Sequence, residues 1–176
     1  RILARSGITN GYCLDFNCGE GRLAVELARR SNLVIVGLNQ DAATVGQARQ
    51  RLLKSGLYGQ RLTIQHAPNG QIPFPDYCFN LLVSDESVRT GSAPKSTSTL
   101  KRHVRPAGGV MMLGAEHYVR PALEGAGSWT HMYGDAGQSA NSHDQLISGK
   151  TGDNIEVQWF GLPGPDAMID RLGRNQ

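Results

Sequence analysis

The chain has 176 residues, 39% of them hydrophobic, with 18 Lys and Arg against 15 Asp and Glu for a net charge of +3. That length suits one ordinary domain with an appendage, and no apolar run approaches the roughly 20 residues of a membrane-spanning helix, so no membrane partner is expected. Three cysteines cannot close a complete disulfide framework, and the basic clusters "ARR", "ARQRLLK" and "LKRHVR" lie at or near predicted helix ends without interleaved aromatics, so they read as solvated faces and no nucleic-acid partner is expected.

Beginning at Arg1, without an initiator Met or a signal-peptide pattern, the chain reads as an internal piece of a longer protein. "YCLDF" predicts a short strand ending at Asp15. "GRLAVELARR" predicts a helix, with Leu23 and Leu27 at i,i+4 and Ala24 and Ala28 beside them. "LVIVGL" (Leu33 to Leu38) is a continuous apolar run, as in a strand buried on both faces. Asp41 then caps a helix with Val45, Ala48 and Leu52 on its apolar side, and Gly56 ends it. "RLTIQHA" alternates as a third strand. "QIPFPDYCF" holds two prolines and reads as loop. "NLLVS" (Asn80 to Ser84) is a fourth strand, "STLKRHVR" a short helix stopped by Pro106, and "GGVMMLG" a fifth strand. This alternation predicts an α/β fold: a doubly wound, mostly parallel sheet of five strands over residues 1–116. Residues 117–176 read as a linker and irregular tail rich in Gly, Ser, Asn and Asp. Its one strand candidate is "IEVQWF", with Ile155, Val157 and Trp159 on one face.

In open sheets of this kind ligands bind beyond the carboxyl ends of the strands, near the first one. There the chain reads "CLDFNCGEGRLAVELA". A strand that runs through a glycine loop into a helix offers bare backbone N–H groups to a ligand. Asp15 at the strand tip suits a ligand that carries an ammonium and would repel a dinucleotide's pyrophosphate. A nicotinamide-dependent oxidoreductase is disfavoured on that ground.

Residues 11–114 resemble a class I S-adenosylmethionine-dependent methyltransferase. The family's first motif, acid-x-Gly-x-Gly-x-Gly, reads here Asp15-Phe16-Asn17-Cys18-Gly19-Glu20-Gly21. "VIVGLNQD" sits where the family has its second strand ending in an acid for the ribose hydroxyls. "QIPFPDYCFNLLVS" resembles the approach to strand four, and "HVRPAGGVMMLG" the entry to strand five. The resemblance implies a Rossmann-like methyltransferase fold, S-adenosyl-L-methionine as cofactor and methyl transfer to an unidentified acceptor. It places Asp15, Phe16, Asn17, Cys18, Gly19, Gly21, Asn39, Gln40 and Ser84 at the cofactor. A cytoplasmic setting would go with that activity. No catalytic residue is assigned, although Asp85 and Glu86 follow strand four, where the family often has substrate-side groups. The five His lack metal-ligand spacing, and no metal is expected.

The departures from the family pattern are specific. Asn17 replaces the first glycine, and Asn is the side chain that best tolerates left-handed backbone. Asn39 stands in place of the ribose acid, and Pro68 removes a backbone donor near the adenine position. The family completes its sheet with two more strands, for which no hairpin is evident. The tail is similar to something else: "GSWTHMYGDAGQSANSHDQLI" followed by "IEVQWFGLPGP" resembles the opening of a pyrroloquinoline-quinone-dehydrogenase-like β-propeller. That resemblance implies the remainder of a propeller as partner in the parent chain, and Trp129 and Trp159 as packing anchors. It also raises an alternative function for the first domain, a degenerate cofactor-binding or interaction module that serves the propeller.

Overall fold

The apolar runs of the sequence lie side by side as parallel strands. The structure, a computed structural model, describes residues 1–54 and 56–145; the strand expected at "IEVQWF", with Trp159, lies outside the described residues. The sheet contains β1 (Asn10–Phe16), β2 (Asn32–Asn39), β3 (Leu62–His66), β4 (Leu81–Val83), β5 (Val110–Leu113) and β6 (Glu116–Val119), in the order β3-β2-β1-β4-β5-β6. The first five strands pair in parallel, as expected. β1 is central, so Asp15 pairs with Gly37 on one side and Val83 on the other.

The sheet has six strands rather than five. β6 turns back through Gly114 and Ala115 and pairs antiparallel to β5, with Leu113 opposite Glu116 and Val110 opposite Val119. Residues 117–119, expected in the tail, therefore belong to the sheet. "EHYV" alternates half-buried and exposed positions at a sheet edge, and so short and polar a segment carries little strand signal until a neighbour supplies the pairing.

Side chains pack on both faces of the sheet, leaving the paired residues Tyr12 and Val34 exposed. α2 (Arg22–Arg29) buries Ala24, Leu27 and Ala28, and α3 (Ala42–Leu53) buries Val45, Ala48 and Leu52. They pack on Cys13, Leu33, Ile35, Ile64, Leu81 and Val83. Asp41 caps α3 as expected, accepting from the N–H groups of Ala43 and Thr44 at 3.3 and 2.9 Å. On the opposite face Leu14, Phe16, Leu38, Leu82 and Met111 pack under Phe79, Leu100 and Val104. Three short helices complete this unit: α1 (Ile2–Ser6), α4 (Asp85–Thr90) and α5 (Thr97–Lys101). α5 is shorter than "STLKRHVR", because the chain turns after it and Val104 bridges to Phe79. No helix among the described residues is long and apolar enough to cross a membrane.

The chain divides after Leu123. In the second unit the described residues, 124–145, form successive turns without regular helix or strand. Ala140 N–H donates to Tyr133 O at 2.9 Å and Gln145 N–H to Gly125 O at 2.8 Å. The Asp135 carboxylate accepts from the Ser139 hydroxyl at 2.7 Å. Trp129, expected as a packing anchor, is 57% exposed.

Candidate functional site

The loop between β1 and α2 is built from three left-handed residues, Asn17 (φ 55°), Gly19 (φ 51°) and Gly21 (φ 77°). Asn17 thus adopts the conformation that the family's glycine would supply. Cys18 N–H donates to Leu38 O at 3.0 Å and Gly21 N–H to Cys18 O at 2.9 Å, which fastens the loop to β2. Cys18 itself is fully buried, and burial, with Asp15 close by, pushes its thiol well above the ordinary range. It is a packing residue rather than the reactive thiol that an open loop would allow. The Asn17 side chain is also used: Nδ2 donates to Glu86 Oε2 at 2.7 Å.

Glycine at position 17 relieves a left-handed strain of about 1–2 kcal/mol and removes one hydrogen bond to an exposed carboxylate, worth about 1 kcal/mol. Asn17→Gly is therefore expected to change the unfolding free energy by less than about 1 kcal/mol in urea denaturation. A larger loss would make the Asn17–Glu86 bond a structural requirement of the fold.

Asp15 is completely buried. Its Oδ1 accepts the backbone N–H of Asp85 at 2.8 Å, while Oδ2 has no hydrogen-bond partner among the described residues. Burial pushes its carboxyl up to about 7; the Asp85 N–H opposes this and the Asp85 carboxylate adds to it. Asp85 is in turn paired with Arg89 at 2.9 Å, one turn along α4. Ser84, also fully buried, caps α4 by accepting the Ser87 N–H at 3.2 Å. The strand-tip acid therefore points at the start of α4.

A cleft of about 600 Å³ opens over the carboxyl ends of the strands. Phe16 lines it from the end of β1, Asn17 from the loop that follows, Gln40 from just past β2, and Asn69 and Gly70 from the turn after β3. Glu86 and Thr90 of α4 and the segment Ser92–Ser96 form the facing wall. Of the residues expected at a cofactor, the fold brings Phe16, Asn17 and Gln40 together on this cleft. Gly19 and Gly21 shape the loop, and Asp15, Cys18 and Ser84 lie buried around it. Asn39 is absent from the cleft wall, and its Oδ1 accepts the Asp41 N–H at 2.9 Å. At the end of β2 the side chain that reaches the cleft is Gln40.

Sequence reasoning overlooked Asn69, Gly70, Thr90 and Lys95. The Asn-Gly pair was the available signal, since both residues take positive φ (64° and 67°). A Cβ at Gly70 would stand 2.9 Å from Gln40 Nε2, so glycine keeps that corner open. Lys95 sits in an irregular loop that carries no periodic pattern. Among the described residues no group of three or more His, Cys, Asp or Glu is placed to hold a metal ion.

Comparison with known proteins bears on this geometry. Residues 13–108 match the model of the methyltransferase domain family. The ubiquinone/menaquinone biosynthesis C-methyltransferase UbiE of Geobacter sulfurreducens is 30% identical over 106 residues, covering 58% of this chain and 41% of the relative. Ribosomal RNA small subunit methyltransferase C of Pseudomonas putida is 33% identical over 132 residues, 68% of this chain and 37% of the relative. The chain thus spans about two fifths of the length of these curated relatives. Among solved structures, a protein of Methanococcus maripaludis assigned as an S-adenosyl-L-methionine-dependent methyltransferase superposes with a TM-score of 0.55 at 28% identity, over 62% of this chain and 50% of that one. A SAM dependent methyltransferase of Aquifex aeolicus gives 0.52 at 18% identity, over 62% and 59%, and supports the fold alone. With a family match that runs from inside β1 to the turn before β5, over a sheet of this order, the chain belongs to the methyltransferase domain family.

Proposed function

We propose that the chain binds S-adenosyl-L-methionine in the cleft above β1, β2 and β3 and transfers its methyl group to an acceptor. The carrying observation is the convergence of Phe16, Asn17, Gln40 and Gly70 on one cleft at the carboxyl ends of parallel strands, in a chain of this family. The residues present fit the ligand. A cleft of about 600 Å³ is in the size range of small-molecule sites. Its lining holds one carboxylate, Glu86, and one ammonium, Lys95, rather than a basic phosphate cradle. Gln40 offers an amide to the ribose hydroxyls, Phe16 an apolar wall, and the loop from Asn17 to Gly21 lies toward the amino-acid end.

When bound, the cofactor supplies an already activated methyl group. The chain's own part is then to bind, to align an acceptor and to exclude water. Relatives named for ubiquinone/menaquinone biosynthesis, for small-subunit ribosomal RNA and for 27-O-demethylrifamycin SV share this domain, so the acceptor is not read from the fold. The reading of residues beyond β6 as a linker and the opening of a β-propeller is a separate proposal supported by sequence resemblance. Propeller repeats in the continuation of the parent gene would support it, and their absence would overturn it.

Calorimetric titration tests the main reading. Saturable binding of S-adenosylhomocysteine without binding of NAD is expected; the reverse would overturn the proposal. Asn39→Asp keeps an acceptor for the Asp41 N–H at a position off the cleft wall, so affinity for S-adenosylhomocysteine should stay within about twofold. Gln40→Ala removes the amide that faces the cleft, a hydrogen bond worth about 0.5–1.5 kcal/mol, so S-adenosylhomocysteine should bind roughly two- to tenfold more weakly. Tighter binding by Asn39→Asp with unchanged binding by Gln40→Ala would move the ribose contact from Gln40 to Asn39.

A further inference from the structure

The glycine that Asn17 replaces in the family motif has no side chain, whereas the side chain of Asn17 spans from the β1 loop to Glu86 of α4. Three carboxylates gather at the carboxyl ends of β1 and β4, and the fold separates their roles. Asp15 is sealed from solvent and receives the Asp85 N–H. Asp85 is nearly buried and paired with Arg89. Glu86 is exposed and lines the cleft. The bond from Asn17 is a neutral amide bond to one carboxylate oxygen, so it orients Glu86 without cancelling its charge, as an arginine would. With Lys95 as the one cation among the described lining residues, the cleft offers a carboxylate and an ammonium, the complement of an amino-acid zwitterion.

We infer that Glu86 is the carboxylate that faces the ammonium of the cofactor's amino-acid end, with Asn17 as the positioning residue that holds it there. The pair takes the place that the motif assigns to Asp15. The inference rests on the reading of this cleft as an S-adenosylmethionine site. It gives the departure at Asn17 a function: the loop keeps its left-handed turn and gains a side chain that fixes a charge in the cleft.

Two ligands separate the amino-acid end from the nucleoside. S-adenosylhomocysteine carries the ammonium, and 5′-methylthioadenosine lacks the amino-acid end. In calorimetric titration of the full chain, Glu86→Gln should weaken S-adenosylhomocysteine about tenfold or more and leave methylthioadenosine within about twofold. Asn17→Gly should weaken S-adenosylhomocysteine by a smaller factor, again without an effect on methylthioadenosine. Asp15→Asn should leave the ratio of the two affinities unchanged. Glu86→Gln acting equally on both ligands or on neither, or Asp15→Asn selectively weakening S-adenosylhomocysteine, would overturn the inference while the cofactor reading stands. Wild type that binds neither ligand would overturn the cofactor reading itself, and this inference with it. Because Glu86 is a surface residue, melting curves of the variants are expected to stay cooperative, so the affinities can be compared directly.

Discussion

Raising the pH from about 4 to 7 is expected to destabilise the wild-type domain, and Asp15→Asn is expected to remove much of that loss. The unfolded chain ionises Asp15 near the ordinary value of 3.8, whereas the folded chain holds the proton up to about 7. Between those values the native state binds more protons than the unfolded state, so stability falls as pH rises. The contribution is fully present below about pH 4 and is lost through about 7. Its size is bounded on the order of 4 kcal/mol. The physical cause is the burial of the carboxyl, whose Oδ2 has no hydrogen-bond partner among the described residues, beside the Asp85 carboxylate and against the compensation of the Asp85 N–H.

Other acids act in a different window. Glu20 is held below the usual range by Arg51 and Arg22, Asp41 by the Thr44 hydroxyl and N–H, and Asp76 by Arg102. Their stabilisation appears as pH rises through the ordinary carboxylate range, so it lies at the acid end. In Asp15→Asn the amide oxygen still accepts the Asp85 N–H, and no ionisation follows. Urea denaturation at several values between about pH 5 and 8 should show the variant gaining on wild type as pH rises. Superimposable profiles would mean that the charged form of Asp15 is already compensated in the folded state.

What could be read in the sequence was what is encoded locally. The run at Val110 to Leu113 is apolar because both faces of β5 are covered. In the run at Leu33 to Leu38, expected to be buried on both faces, Leu33, Ile35, Gly37 and Leu38 are buried, but Val34 is exposed and Val36 half-buried. Such runs need no partner to be recognised. Asp41 as cap and Gly21 at the entry to α2 follow from the chemistry of their own turns. The left-handed backbone of Asn17 was legible for the same reason. What escaped depends on contacts distant in the chain. α4 reads as a short polar segment, and it is placed by the Ser84 cap and by Asp15, which is 70 residues from Asp85. β6 is a strand because β5 lies beside it. At the cleft, Gln40 and not Asn39 is among the lining residues, while Asn39 Oδ1 accepts the Asp41 N–H, and motif position could not reveal either. Asp15 was legible as an acid at a strand tip, but its burial and its bond to the Asp85 N–H at the start of α4 are tertiary facts.

Gly37→Ala is expected to destabilise the domain and to disturb the glycine loop in the same step. Gly37 lies in β2, opposite Asp15 of β1 and Ile64 of β3. A Cβ at that position would stand 2.5 Å from Ile64 Cδ1, 2.8 Å from Cys18 Sγ and 3.0 Å from Cys18 Cβ. Alanine reduces the entropy of the unfolded chain, a gain of about 0.4–1 kcal/mol. Overpacking of a filled core costs about 1–3 kcal/mol, so the net effect is a loss. The two neighbours differ in how far they can yield. Ile64 Cδ1 is the end of a flexible side chain, whereas Cys18 is short and its N–H is bonded to Leu38 O at 3.0 Å. The strain should therefore pass into the segment from Asn17 to Gly21 and lower affinity for S-adenosylhomocysteine along with stability. Adding Ile64→Val removes one of the opposing methyl groups and should recover part of the stability but little of the affinity, because the Cys18 contact persists. Non-additive recovery of this kind, measured by urea denaturation and calorimetry on the single and double variants, identifies the shared space between β2, β3 and the loop. A Gly37→Ala protein as stable as wild type, with unchanged affinity, would show that the core yields there and that Cys18 does not hold the loop in place.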